Sequence, residues 1–186
     1  VPGMVKLMGG TKKVIADLDW MFSNTPEDML WNIYYNHANE PVHGVPFLYN
    51  RLGAPWKTQY WTRFICRHAY DEKMETGLKG NEDVGQMSEW YILASSGLNH
   101  YCPGETRYEI TSPVFSKVVI RLDKNYSAGG TFTIVANNNS ADNVYIQSAK
   151  LNGKPYNKCY IDYKDIVAGG TLELVMGATA NQKWGK

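Results

Sequence analysis

The chain is expected to fold as an α+β protein with helices first and strands afterwards, dividing at about residue 105. Two observations predict this. Up to residue 100, apolar residues recur three and four positions apart, the spacing of one helix face. From 107 to 176, β-branched residues cluster in short runs between turn formers. Helices and strands that are segregated along the chain exclude a parallel α/β sheet and leave two layers or two domains.

The helices are read in order. Thr11 can cap a helix through "KKVIADLDWMFSN", in which Val14, Ile15, Leu18 and Met21 or Phe22 share a face. Pro26 fits the first turn of another, with Glu27 and Asp28 near its positive end. "VPFLYNRLG" reads as a short apolar helix stopped by Gly53. Pro55 opens "PWKTQYWTRFICRHAY", where Trp56, Tyr60, Phe64 and Ile65 form the apolar stripe. "QMSEWYILASSG" is the last helix and ends at Gly97.

"SKVVIRLD" and "GTFTIVANN" then read as strands. "AKLNGKPY" holds Asn152-Gly153, the strongest short hairpin signal. "GGTLELVM" sets Leu172, Leu174 and Met176 against Thr171, Glu173 and Val175. Five to seven strands result, a sandwich or part of one.

Composition narrows the function classes. A net charge of +1 over 186 residues favours neither nucleic acid nor an anionic membrane surface as partner. No apolar run approaches the ~20 residues of a membrane span. Cys66, Cys102 and Cys159 are scattered, with no CxxC pair, and three inert buried thiols are expected ahead of the alternative, a single disulfide. Thirteen tyrosines and six tryptophans point weakly to carbohydrate, whose sugar faces stack on aromatic rings. The chain begins at Val1 without a methionine, as expected of a mature, clipped or partial polypeptide.

There is no GxGxxG, Walker loop, HExxH or GxSxG. In "NHANEPVHGVPFLYN", His37, Glu40 and His43 suggest a metal, but Pro41 and Gly44 preclude the regular helix that would aim them at one transition-metal ion. Asn39, Glu40 and loop carbonyls suit a hard ion such as calcium better. His68, beside Arg67, is explained by the negative end of its helix, and His100 is expected to be structural. Asn125 and Asn138 open glycosylation sequons that matter only in a glycosylating host. "GNEDVGQMSEWY" places Glu82 and Asp83 between Gly80 and Gly85, either as an acidic helix cap or as a carboxylate held by a rigid turn for chemistry. Together with "NEPVHGVPFLYN" and "GAPWKTQ", it repeats one plan: a polar loop feeding an aromatic helix, as in an (α/α) barrel with its polar groups at one end.

These stretches resemble the C-terminal catalytic region of family 92 glycoside hydrolases, calcium-dependent inverting exo-α-mannosidases. Members carry NEPxHHxxYLYN, then G-x-PWKTQ, then GN(E/D)DxGQMSxWY. The following CPG and Y-x-I-x-SP-x-F are answered by "YCPGETRYEITSPVF". The match is strong from Trp31 to Phe115 and looser in the final strands. It implies that residues 1–104 are the loop-bearing helices of an incomplete (α/α)6 barrel and residues 105–186 a C-terminal antiparallel, sandwich-like β-rich segment.

Carried over residue by residue, the resemblance makes Asp83 the general base, with Glu82 and Asn81 orienting it or its water. Asn39 and Glu40 would lie at a Ca²⁺ site. His37, His43, Trp56, Lys57 and Gln86 would line the substrate end, and the partners would be mannose-containing glycans. An inverting hydrolase needs such a base on the face of the sugar away from the leaving group, with room for one water. The general acid belongs to an earlier stretch, EGxAWQY followed by W-x-VP-x-D, which this sequence lacks. A missing N-terminal part of the same protein is therefore expected, along with an inactive isolated chain and a secreted, periplasmic or cell-surface location. Gly44 stands where many members have a second His, Ala38 departs from members that read α-1,2 linkages, and Glu89 replaces a small residue. The alternatives are a non-catalytic carbohydrate-binding or assembly module and a hydrolase of another (α/α) family.

Overall fold

A computed structural model describes residues 1–186. Its fold is mixed α+β. Helices α1 (Pro2–Leu7), α2 (Thr11–Asn24), α3 (Leu48–Arg51), α4 (Pro55–His68) and α5 (Gln86–Ser96) come first, with 3-10 turns at Glu40–Val42 and Val45–Phe47. Strands β1 (Leu98–His100), β2 (Arg107–Ile110), β3 (Lys117–Arg121), β4 (Thr131–Asn137), β5 (Tyr145–Leu151), β6 (Lys154–Pro155), β7 (Tyr160–Asp162) and β8 (Gly170–Gly177) follow, with α6 (Tyr163–Val167) between the last two. None of the helices is long and apolar enough to cross a membrane.

α2 buries the expected stripe of Val14, Leu18 and Phe22, each contributing about 1.5–3 kcal/mol of apolar burial. The helix expected from Pro26 does not form. Pro26 to Met29 make a single turn closed by the Met29 amide on the Pro26 carbonyl at 3.0 Å. Met29 then takes φ 52°, which a continuing helix cannot accommodate, and is fully buried there.

α4 follows the expected stripe only in part: Ile65 is buried and Trp56 and Phe64 pack against the core, but polar residues share the buried face. Its buried face is Pro55, Thr58, Gln59, Thr62, Arg63, Ile65 and Cys66, whereas Tyr60 is 41% exposed. Hydrogen bonding explains the polar share. Gln59 Oε1 accepts from the Ile146 amide at 2.9 Å, and Thr58 Oγ1 donates to the Pro46 carbonyl at 2.8 Å. The Arg63 guanidinium reaches Asn139 Oδ1 at 2.6 Å and the Pro113 carbonyl. Buried polar side chains are stable where hydrogen bonds replace water, and these bonds satisfy most of the polar groups on this face, Gln59 Nε2 and Arg63 Nε excepted.

The strands form two sheets. β1, β2 and β7 pair antiparallel. The other sheet has the order β3-β4-β8-β5-β6. The expectation of purely antiparallel pairing is corrected here: β4 and β8 run parallel, with Phe132 opposite Gly170. The chain crosses over from β4 to β5 before β8 inserts between them, a long-range connection that no local signal encodes. At the β5–β6 turn, Asn152 and Gly153 take φ 51° and 75°, as a two-residue hairpin requires.

Two apolar clusters result. One gathers Phe22, Phe47, Tyr49, Ile65, Met87 and Trp90. The other gathers Ile110, Phe132, Ile134, Ile146, Ile161, Leu172 and Leu174. A polar seam joins the helical and strand layers at Glu109, which is fully buried. It accepts from Asn50 Nδ2 at 3.0 Å, Arg51 Nε at 2.5 Å and Arg107 Nη2 at 3.0 Å. Cys66 and Cys159 are buried, and burial pushes their thiols up to about 12 and about 11. Cys102 is exposed, contrary to expectation, because its turn lies outside both clusters.

Candidate active site

The loop from Asn36 to His43 and the loop from Gly80 to Gly85 meet, and glycine makes the meeting possible. A Cβ at Gly80 would lie 2.5 Å from the Ala38 carbonyl oxygen and 2.6 Å from the Ala38 Cβ, so only hydrogen fits there. Gly80 also has φ 148°, which side chains disfavour.

Beyond Gly80, Glu82 and Asp83 diverge. Glu82 Oε1 accepts from the Ser88 amide at 3.3 Å, satisfying a donor in the first turn of α5. Asp83 instead faces Glu40 of the other loop. Hydrogen bonding to Glu40, desolvation and the like charge of Glu40 hold the Asp83 carboxyl above its usual value, while His43 pulls it down. The turn is strained: Asp83 and the exposed Val84 take φ 47° and 61°, a region β-branched residues rarely enter. Thus one acid caps the helix and its neighbour faces the other loop.

Behind the loops lies a dry knot of rings. His37 is fully buried, its Nδ1 2.8 Å from the Tyr35 hydroxyl and its Nε2 2.7 Å from that of Tyr70. The Tyr70 hydroxyl donates to the Met87 carbonyl at 3.1 Å. It must therefore accept from His37 Nε2–H, leaving His37 Nδ1 to accept from Tyr35, an assignment made from the hydrogen-bond network. That neutral ring agrees with its pKa, which burial and the neighbouring His43 lower well below the usual histidine value. His43 stacks on His37 with centroids 4.5 Å apart, and its Nε2 donates to the His37 carbonyl at 3.0 Å. Burial lowers the His43 pKa, against the opposing pull of that bond and of Asp83.

A cleft of about 410 Å³ opens beside this knot, walled by Glu40, His43, Gln86, Trp90, His100 and Tyr101 among others. Its size is within the ~300–1,000 Å³ usual for ligand pockets. Of the residues singled out in the sequence, Glu40, His43 and Gln86 are on its wall. Asp83 stands exposed beside Glu40, Asn39 precedes Glu40 in the loop, and Asn81 is exposed. His37, expected at the substrate end, sits behind the wall with both ring nitrogens already engaged. Lys57 and Trp56 lie elsewhere: Lys57 Nζ pairs with Asp19 at 2.9 Å, and Trp56 carries Lys186 5.5 Å from its ring centroid. The sequence reading missed Trp90, whose indole N–H donates to the His43 carbonyl at 3.0 Å, and Tyr101. It took His100 as structural, whereas His100 is on the wall, 3.4 Å from Glu89 Oε1. That pairing accounts for Glu89.

No group of three or more His, Cys, Asp or Glu side chains gathers within this chain. A hard cation fits what converges. Two carboxylates approach each other, and the same two loops bury Asn36 Oδ1 and Glu82 Oε2 without a hydrogen-bond partner.

Residues 1–178 match the model of the glycosyl hydrolase family 92 catalytic domain. The chain belongs to that family. It is 34% identical over 184 residues to an uncharacterized secreted glycosidase of Arthroderma benhamiae, covering 98% of this chain and 22% of that protein. It also resembles a family 92 α-mannosidase of Bacteroides thetaiotaomicron, with 34% identity, a TM-score of 0.83, and coverage of 95% of this chain and 23% of that one. A family 92 inverting mannosidase of B. thetaiotaomicron VPI-5482 matches at 33% identity and TM-score 0.83, over 99% of this chain and 26% of its own. The chain thus spans about a quarter of the length of these family 92 relatives.

Proposed function

We propose that this chain carries the base half of an α-mannosidase active site that removes terminal α-linked mannose with inversion of configuration and depends on Ca²⁺. The observation that carries the reading is the approach of Asp83 to Glu40 at the edge of a sugar-sized cleft. Of the structural relatives, one is an α-mannosidase and another an inverting mannosidase, which supports the reading. The helices before residue 104 are read as part of a larger (α/α)6 barrel, and the relatives' length leaves room for its remainder.

Asp83 takes a proton from water as that water attacks the anomeric carbon from the face opposite the leaving group. A carboxylate with a pKa raised above the ordinary aspartate value is a stronger base once ionised. Glu82 steadies the turn by capping α5, and Gly80 sets the loop's distance from Ala38. Gln86 offers a polar contact to sugar hydroxyls from the wall, while His43 and Trp90 are buried behind it and shape its floor. Asn39 and Glu40 would hold the cation, which when bound supplies a Lewis-acidic contact to neighbouring sugar hydroxyls and keeps the carboxylates ionised. Glu40 is the only acid on the cleft wall, so the proton for the leaving oxygen is assigned to a residue from the rest of a full-length polypeptide. Such a polypeptide is proposed to act outside the cell, as the secreted description of the fungal relative supports.

The deciding experiment assays the full-length protein on aryl α-mannosides and mannobioses with and without EDTA, following the anomer released. Chelator-sensitive release of β-mannose supports the enzyme. Sugar binding without turnover would leave a non-catalytic carbohydrate-binding module.

A further inference from the structure

Part of the cleft wall comes from a different part of the chain from Glu40, the turn after β1 that bears Tyr101, Cys102 and Pro103. Tyr101 is held there from two sides. The Arg51 guanidinium carbon stands 5.1 Å from its ring centroid, and Arg51 is itself locked by Glu105 and Glu109 at 2.5 Å each. On the other side is Gly44, whose missing side chain leaves the room. A Cβ at Gly44 would meet the Tyr101 carbonyl oxygen at 2.9 Å and ring carbons at 3.7 and 3.8 Å. The backbone at Gly44 is an ordinary right-handed turn with φ −75°, so glycine is required there by the neighbour and not by conformation. The ring is half-buried: it packs against the helical cluster and also lines the cleft, where the mechanism gives it no role.

We propose that Tyr101 is a specificity-determining residue, an apolar wall against which the glycan beyond the reacting mannose rests. This rests on the mannosidase reading above. If the reacting sugar occupies the polar Glu40–Asp83 corner, whatever it is attached to extends along the remaining wall. An aromatic ring fixed by a cation–π contact and a glycine seat meets a sugar face without losing much side-chain freedom. The Arg51–Glu109 pair acts as the positioning element, carrying the order of the buried seam to the cleft.

The test compares kcat/KM for mannobioses with that for methyl α-mannoside, using the full-length protein. Tyr101→Ala is expected to lower the ratio of the two roughly tenfold, the loss of one good aromatic contact, with the change in KM. Tyr101→Phe should keep the wild-type ratio. Gly44→Ala should reproduce the fall, because its new methyl displaces the Tyr101 backbone. A ratio within about twofold of wild type in both Tyr101→Ala and Gly44→Ala overturns the proposal while leaving the mannosidase reading intact. If the wild-type protein neither hydrolyses these sugars nor changes its tryptophan fluorescence on titration with them, the mannosidase reading falls first and takes this inference with it.

Discussion

The carboxyl group of Asp83 meets that of Glu40 across two loops far apart in the chain, and the meeting raises the pKa of Asp83. Two acids do not approach each other by default. They do so here because Gly80 lets one loop lie against Ala38 of the other, and because Asp83 and Val84 accept left-handed backbone angles. Strain and like charge together are costs that the packing of the aromatic knot must offset.

Asp83→Asn keeps the size and hydrogen bonds of the side chain but removes the base. In the full-length protein the rate on mannosides should fall about 10²–10⁴-fold, the usual contribution of a general base. Initial-rate kinetics would measure it, and a loss under about tenfold would remove Asp83 from that role.

Chelation should abolish turnover and added Ca²⁺ restore it. Glu40→Gln halves the carboxylate charge of the pair, so more Ca²⁺ should be needed for half-maximal activity. Titration of activity with Ca²⁺ reads this directly. Equal requirements in both proteins would separate Glu40 from the cation.

Gly80→Ala is expected to destabilise the loop contact by about 1–3 kcal/mol, given its φ of 148° and the clash with Ala38. Activity should fall with it as Asp83 moves off Glu40. A variant with an unaltered thermal midpoint and rate would show that the loops do not need this approach.

Stability should decline on acidification because of His37. Its folded pKa is depressed below the ~6.5 of an unfolded histidine. Between the two values the unfolded state binds more protons, so stability rises with pH there. This contribution is complete above about pH 6.5 and is lost as the pH falls through the folded value. His43 acts in the same direction. Thermal midpoints recorded from neutral to mildly acidic pH should drop, and His37→Gln should flatten the curve. An unchanged slope in that variant counts against the buried neutral ring.

Glu109→Ala would leave the Arg51 and Arg107 guanidinium groups without their shared partner between the layers. Losing one member of such a buried cluster should destabilise the protein by about 3–5 kcal/mol. Chemical denaturation of the full-length protein is the measurement. A cost under about 1 kcal/mol would mean the seam is solvated in solution.

Much of the architecture was legible from local pattern. The α2 stripe, the Gly53 and Gly97 stops, the Asn152-Gly153 hairpin and the alternation of Leu172, Leu174 and Met176 each depend on neighbours in sequence, and each formed. The α4 face was read only in part, with Ile65 buried as expected and Tyr60 exposed. Its aromatic spacing looked like a core stripe, but the polar face found buried partners in Ile146, Pro113 and Asn139, none of them local. Among the site residues, Trp90 and Tyr101 carried no signal, because nothing in their own segments says that they meet His43 or Gly44.

By itself, then, the order of residues determined the helices-then-strands plan, the family, and the loop in which two adjacent acids sit between glycines. Tertiary structure alone decided that Glu82 caps a helix while Asp83 faces Glu40, that His37 is walled off from the cleft, and that β8 runs parallel to β4. The reason is physical. Period and turn chemistry act over a few residues, whereas a carboxylate's role is set by which distant groups share its space.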